Sequence, residues 1–125
     1  MLVIDKSSGV TSHDVVSKLR KRFGERRIGH AGTLDPSATG VLIIGVGKAT
    51  RLMRFATAST KTYETEIVFG VETDTLDADG KVVFEHEMSF SSHDLLSAST
   101  KFLGEIEQIP PMVSALKVDG RRLHE

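Results

Sequence analysis

The chain has 125 residues, the size of one ordinary domain, with 39% hydrophobic and 26% charged residues. This composition excludes an intrinsically disordered chain, and no apolar run approaches the roughly 18 residues that a membrane-spanning helix needs. The absence of cysteine excludes a disulfide framework and a thiolate metal site. The charged residues directly after Leu2–Ile4 are not typical of a secretory signal, so a cytoplasmic protein is expected.

The net charge of −1 conceals a strong asymmetry along the chain. Residues 1–62 hold 11 Lys or Arg against 4 Asp or Glu, a balance of +7, whereas residues 63–125 hold 5 against 13, a balance of −8. A basic half is typical of proteins that bind polyanions, because Lys and Arg displace counterions from a phosphate backbone. The alternative interpretation is that both halves are simply solvated faces of one domain.

The segment TSHDVVSKLRKRFG, residues 11–24, predicts an amphipathic helix. Thr11 or Ser12 can cap its first turn, where Asp14 interacts favourably with the helix dipole. Gly24 is expected to end the helix. Its predicted apolar face consists of Val16, Leu19 and Phe23.

Strands are predicted on both sides of this helix. Leu2–Ile4 is a short candidate, and the continuous apolar run Val41–Val46 predicts a strand buried on both faces. Residues 48–56 predict a short helix, and alternation predicts a further strand over Tyr63–Gly70. Along that strand, one face would carry Tyr63, Thr65, Ile67 and Phe69.

The last third of the chain predicts a strand, a helix and a hairpin. A turn at Asp77–Gly80 precedes a strand over residues 81–85, and residues 91–104 predict a helix that begins at Ser91 or Ser92. Its inward residues would be Leu95, Phe102 and Leu103. Asp119-Gly120 is a hairpin signal between residues 112–118 and 121–123. The expected fold is α+β, a mixed and largely antiparallel sheet with flanking helices.

The segment RIGHAGTLDPSATGVL, residues 27–42, concentrates three glycines and a proline around Asp35. Pro36 restricts the backbone of the residue before it, and glycines allow close approach or positive φ. A strand follows directly, which suits a side chain that must be held in place. The loop is therefore interpreted as presenting one carboxylate, although Asp-Pro beside glycine is also common turn chemistry.

Two other interpretations of single motifs are weaker. Gly29–Gly32 matches the GXXG clamp of KH domains, but that clamp joins two helices, and a proline turn and a strand follow in this chain. The five histidines show no metal-ligand spacing, so no metal site is predicted.

The whole pattern resembles the bacterial tRNA pseudouridine-55 synthase family, TruB. The signature GHAGTLDPSATGVLIIGVGKATRL, residues 29–52, carries the resemblance most specifically. The family's other blocks are similar to LVIDKSSGVTSHDVV, KTYETEIVFGVETDTLDADG and IPPMVSALKVDGRRL, in the same order. The resemblance implies that uridine at position 55 of the tRNA T-loop is isomerised to pseudouridine, without cofactor or metal.

Residue roles follow from the same resemblance. The catalytic aspartate falls on Asp35, the base-stacking tyrosine on Tyr63, and the histidine that helps hold the flipped-out T-loop on His30. Lys6 is expected to anchor a loop rather than to act in catalysis. Phosphates need cations, and the expected contacts lie just before the loop, with a solvated helix face as the alternative interpretation. These residues are Lys18, Arg20, Lys21, Arg22, Arg26 and Arg27.

The resemblance also implies that residues 1–125 are only the N-terminal portion of a catalytic domain. Family members continue with an arginine that pairs with the catalytic aspartate, further strands and often a C-terminal RNA-binding domain. The chain alone is therefore expected to be weakly active or inactive, and its oligomeric state stays open. The alternatives are a non-catalytic RNA-binding module that uses the basic half and the GXXG loop Gly29–Gly32, and a degraded gene product that folds poorly and binds nothing.

Overall fold

The computed structural model describes residues 1–108, 117–118 and 121–122, and the chain divides into two units, Met1–Tyr63 and Glu64–Glu125. Helices accompany three separate antiparallel sheets, as the α+β prediction expects. None of the helices in the described residues is long and apolar enough to cross a bilayer.

The first unit is organised around a three-stranded antiparallel sheet. Strand β1 spans Leu2–Lys6, β2 spans Ile28–Ala31 and β3 spans Gly40–Val46, in the order β1-β3-β2. The register pairs Ile4 with Leu42 and His30 with Ile44. The predicted strands are confirmed, whereas β2 lies inside a segment interpreted as loop. The prediction that β3 is buried on both faces is wrong at the start of the strand, where Val41 is 70% exposed.

Helix α1, Ser12–Phe23, is capped at both ends by local hydrogen bonds and backbone geometry. Thr11 is the N-cap: the Asp14 amide donates to Thr11 Oγ1 at 3.0 Å, and the Thr11 amide donates to Asp14 Oδ2 at 2.9 Å. Hydrogen bonds from the Thr11 hydroxyl and amide lower the pKa of Asp14. Gly24, in the left-handed conformation, ends the helix as predicted.

The buried core of the first unit lies between α1 and the sheet. Val16, Ile28, Leu42 and Ile44 form a fully buried cluster, and Leu19 packs against it. Phe23 is exposed, so the prediction that it faces inward is wrong. It is the last residue of α1, and a periodic position is buried only where another element covers it.

After β3 the chain forms a 3-10 helix, Gly47–Leu52, and helix α2, Met53–Thr57. Met53 is buried, and the short helix predicted for this region is confirmed. Gly45 of β3 lies against this segment, since a Cβ there would be 3.0 Å from the Ala49 carbonyl and the Met53 sulfur.

The second unit contains short elements. Strand β4, Val71–Thr73, pairs with β5, Val82–Glu85, and helix α3, Ser92–Ser99, continues as a 3-10 helix over Thr100–Phe102. Ser91 caps α3, as one of the two predicted starts. Strand β6, Lys117–Val118, pairs with β7, Arg121–Arg122, which confirms hairpin pairing there. Asp119-Gly120 lies outside the described residues.

Two expectations for the second unit are wrong. The strand expected over Tyr63–Gly70 is not observed in the described part of the chain, where pairing in this unit begins at Val71. A strand needs a hydrogen-bonded neighbour, and residues 63–68 have none among the described residues. The side chains expected to face inward are exposed, because no described element covers that face of the helix. These side chains are Leu95, Phe102 and Leu103.

Candidate functional site

Asp35 lies on the loop that connects β2 to β3, and its side chain is exposed. Glycines with positive φ stand at the two ends of this loop, Gly32 at +89° and Gly40 at +117°. Residues that carry a Cβ rarely adopt such φ values, so glycine allows the backbone to leave β2 and to enter β3 at these angles. The Ala38 amide donates to the Asp35 carbonyl at 3.1 Å and closes a turn directly after the carboxylate.

Pro36, the residue after Asp35, is held through its carbonyl by β1 and the segment that follows β1. The Pro36 carbonyl accepts hydrogen bonds from the Lys6 ammonium at 3.2 Å and from the Gly9 amide at 2.8 Å. Lys6 is 1% exposed, and its ammonium also donates to the carbonyls of Val10 at 2.8 Å and Ser7 at 3.1 Å. All three donors of the ammonium are used. The loop-anchoring contact predicted for Lys6 is thereby observed.

The peptide before Asp35 is held from the start of α1. The Leu34 amide donates to Ser12 Oγ at 3.0 Å, and Ser12 Oγ donates to the Leu34 carbonyl at 3.2 Å. Ser12 is 2% exposed, and the Leu34 side chain packs against the core cluster. Sequence reasoning missed this role because Ser12 also fits a helix cap, and Thr11 takes that position.

Both neighbours of Asp35 are therefore held by hydrogen bonds, while its exposed carboxylate is engaged by no residue that the structure describes. Within the described residues no hydrogen bond or ion pair engages that carboxylate. A carboxylate on a braced backbone can act as a nucleophile or stabilise positive charge, since both require fixed orientation toward a bound group.

His30 lies on β2, half-buried, and its Nδ1 is hydrogen-bonded to the carbonyl of Gly32. A carbonyl can only accept, so Nδ1 is the donor in this hydrogen bond, and Nε2 is the ring nitrogen that it does not engage. The residues Gly29–Gly32 belong to β2 and the bend after it. They do not connect two helices, so the KH-type interpretation is wrong.

Tyr63 is the last residue of the first unit and is 67% exposed. No hydrogen bond in the described part of the chain joins it to His30 or Asp35. Tyr63 thus presents an exposed aromatic ring, and no described hydrogen bond joins it to the loop that carries Asp35.

The six predicted phosphate-binding residues are all exposed, and two have partners. The Arg20 guanidinium donates to the Ile28 carbonyl at 2.8 Å, which ties α1 to β2, and Arg27 lies 3.8 Å from the Glu25 carboxylate. No ion pair among the described residues engages the other four, which are Lys18, Lys21, Arg22 and Arg26. The same described part of the chain brings no three His, Asp or Glu residues together as a metal site would require.

Residues 20–125 match the model of the TruB family pseudouridylate synthase (N terminal domain). The chain belongs to this family. The match includes the loop that carries Asp35 and the strand that carries His30, and it begins after Ser12 and the first strand.

Curated relatives extend the similarity over the whole chain. It is 49% identical over 126 residues to a tRNA pseudouridine synthase B of Corynebacterium efficiens, covering 100% of this chain and 42% of that protein. The chain is 51% identical over 125 residues to tRNA pseudouridine synthase B of Rhodococcus jostii, and the match covers 99% of this chain and 41% of that protein. The TruB family chain therefore spans about two-fifths of the length of these relatives.

A solved structure with a similar fold is titled "Crystal Structure of a Cbf5-Nop10-Gar1 Complex". The TM-score is 0.58 with 27% sequence identity, over 92% of this chain and 30% of that chain.

Proposed function

We propose that this TruB family chain is the N-terminal portion of the catalytic domain of a tRNA pseudouridine synthase that acts on the T-loop uridine at position 55. The observation that carries the proposal is the exposed Asp35 carboxylate between two anchored peptides, within the segment that matches the family. The names of the relatives support tRNA as the substrate, and the T-arm within tRNA is the finer part of the proposal. With tRNA as the substrate, we also propose a cytoplasmic location.

The proposed reaction exchanges one glycosidic bond for another. The bond from ribose C1′ to N1 of uracil breaks, the base turns while bound, and a bond from C1′ to C5 forms. C5 loses its proton and N1 gains one, so mass and charge are unchanged. Asp35 either attacks the substrate as a nucleophile or stabilises the charge left by the departing base.

The target base must leave its stack before this chemistry, which costs a few kcal/mol. Tyr63 offers an exposed aromatic face, and stacking on such a face recovers roughly 1–3 kcal/mol per base. His30, with Nδ1 used by the Gly32 carbonyl, has Nε2 available to form a hydrogen bond with the T-loop. We assign the two residues these roles as part of the proposal.

Phosphate contacts are proposed mainly for the four cationic side chains without described ion pairs. These are Lys18, Lys21, Arg22 and Arg26. Arg20 and Arg27 are weaker candidates, because binding RNA would compete with the Ile28 carbonyl and the Glu25 carboxylate.

A non-catalytic RNA-binding role is the second candidate, favoured by the same exposed cations. The two candidates differ in product and not in binding. The test is incubation of the chain with an unmodified T-arm hairpin, followed by carbodiimide labelling and mapping of reverse-transcriptase stops. A stop at the T-loop uridine that requires Asp35 supports the synthase. RNA binding without any stop, from a chain that melts cooperatively, supports the binding module.

A further inference from the structure

We propose that Ser12 is a positioning residue for Asp35, an inference that rests on the proposed function. Its hydroxyl is hydrogen-bonded to both the backbone amide and the backbone carbonyl of Leu34, the residue directly before Asp35. A single Ser hydroxyl has one hydrogen to donate and lone pairs to accept with. The Ser12 hydroxyl accepts from the Leu34 amide and donates to the Leu34 carbonyl, so both its donor and its acceptor function are used on one residue.

The position of Ser12 makes this contact rigid. Ser12 is the first residue of α1 and is 2% exposed, and the contacts to Leu34 come from its own hydroxyl and not from the N-cap Thr11. Leu34 is held a second time by its side chain, which packs against the core cluster. The orientation of the backbone that enters Asp35 is thus set by the helix start and the core together.

The anchors on the two sides of Asp35 come from one short connection. Lys6 and Gly9 hold the Pro36 carbonyl, and Ser12 holds Leu34. Without the Ser12 hydroxyl, the Pro36 side remains anchored while the Leu34 peptide can rotate. The carboxylate then loses orientation, and misplacement by about 1 Å can lower a rate by roughly a hundredfold.

The neighbouring residue supplies a matched control. Thr11→Ala removes the helix cap and lowers stability, but it leaves the hydroxyl that contacts Leu34 in place. Ser12→Ala removes the contacts to Leu34 and leaves the Thr11 cap intact. A purely structural effect would therefore appear in both variants, whereas a positioning effect would appear only in Ser12→Ala.

The experiment measures three quantities for the unmodified chain, Ser12→Ala and Thr11→Ala: amide hydrogen exchange at Leu34 by NMR, the dissociation constant for a T-arm hairpin, and the single-turnover rate of pseudouridine formation. For Ser12→Ala, we expect at least tenfold faster exchange at Leu34, a dissociation constant within about twofold, and a rate about tenfold to a hundredfold lower. Thr11→Ala should keep the rate of the unmodified chain wherever both are folded.

Unchanged Leu34 exchange or an unchanged rate in Ser12→Ala would overturn the inference, as would an equal loss of rate in Thr11→Ala. Absence of product from the unmodified chain would mean that this portion of a catalytic domain is inactive alone, and it bears on the proposed function and not on the Ser12 contacts. In that case the Leu34 exchange decides the anchoring: slower or equal exchange in Ser12→Ala contradicts it, and faster exchange supports it.

Discussion

Lys6 carries a charge into the interior beside the loop that bears Asp35. Transfer of an ammonium out of water is costly unless its donors are satisfied, and three carbonyls satisfy them in this case. One of these carbonyls belongs to Pro36, so the hydrogen bonds that stabilise the buried charge also fix the loop. Local stability and site geometry therefore depend on the same side chain.

Replacement of Lys6 by methionine tests this dependence. Lys6→Met keeps an unbranched side chain but removes the hydrogen bonds from the ammonium to the Val10, Ser7 and Pro36 carbonyls, and a hydrogen bond to a charged group contributes about 1.5–3 kcal/mol. We expect the free energy of unfolding to fall by about that amount in urea titrations. Lys18→Met, on the exposed face of α1, is the control and should change it by less than about 0.5 kcal/mol. Equal stability of the two variants would contradict the anchoring role.

At the scale of elements, the sequence was most informative where local chemistry decides the structure. The Thr11–Asp14 capping box, the Gly24 stop and the apolar strand β3 depend on neighbours within a few residues, and each was predictable. Strand β2 was missed because four residues between two loops carry little periodic signal.

Elements that depend on a distant neighbour were not predictable in the same way. Alternation over Tyr63–Gly70 suggests a strand, but only pairing makes one, and the described residues pair from Val71 onward. The candidate site follows the same division. Asp35 could be identified from its loop, whereas the bonds from Ser12 to Leu34 join residues 22 positions apart and have no sequence signal of their own.

The cap of α1 predicts a pH-dependent stability. Because hydrogen bonds from Thr11 lower the pKa of Asp14 below its ordinary 3.8, ionised Asp14 stabilises the folded state above that pH. The contribution is lost as pH falls through the lowered pKa of the folded state. Asp14→Asn should melt at a lower temperature than the unmodified chain at neutral pH, and the difference should shrink as the pH falls below 3.8. Thermal melts by circular dichroism measure it, and a difference that grows on acidification would contradict the assignment.

At the scale of the whole molecule, charge and apolar burial are unevenly distributed. The buried hydrophobic side chains of the described residues all lie in the first unit, which also has the excess of positive charge. In the second unit the described hydrophobic side chains are exposed. The first unit therefore combines the core, the braced loop and the cations that would contact RNA.

This distribution predicts which lysines contribute to the salt dependence of RNA binding. Each phosphate contact adds about 0.7–0.9 to the slope of log affinity against log salt concentration. Lys21→Ala, on the exposed face of α1, should lower the magnitude of that slope by about this amount for a T-arm hairpin. Lys101→Ala in the second unit is the matched control and should leave the slope unchanged. Identical slopes for the two variants would exclude Lys21 from the interface.

The central claim is that the braced Asp35 carboxylate performs the isomerisation. The most direct measurement is tritium release from a T-arm hairpin that carries 5-³H-uridine, because C5 must lose its hydrogen when the new glycosidic bond forms. We expect weak release by the unmodified chain and none by Asp35→Asn, with equal hairpin affinity and equal melting temperature. Equal release by Asp35→Asn, or RNA binding without release by either chain, would contradict the claim.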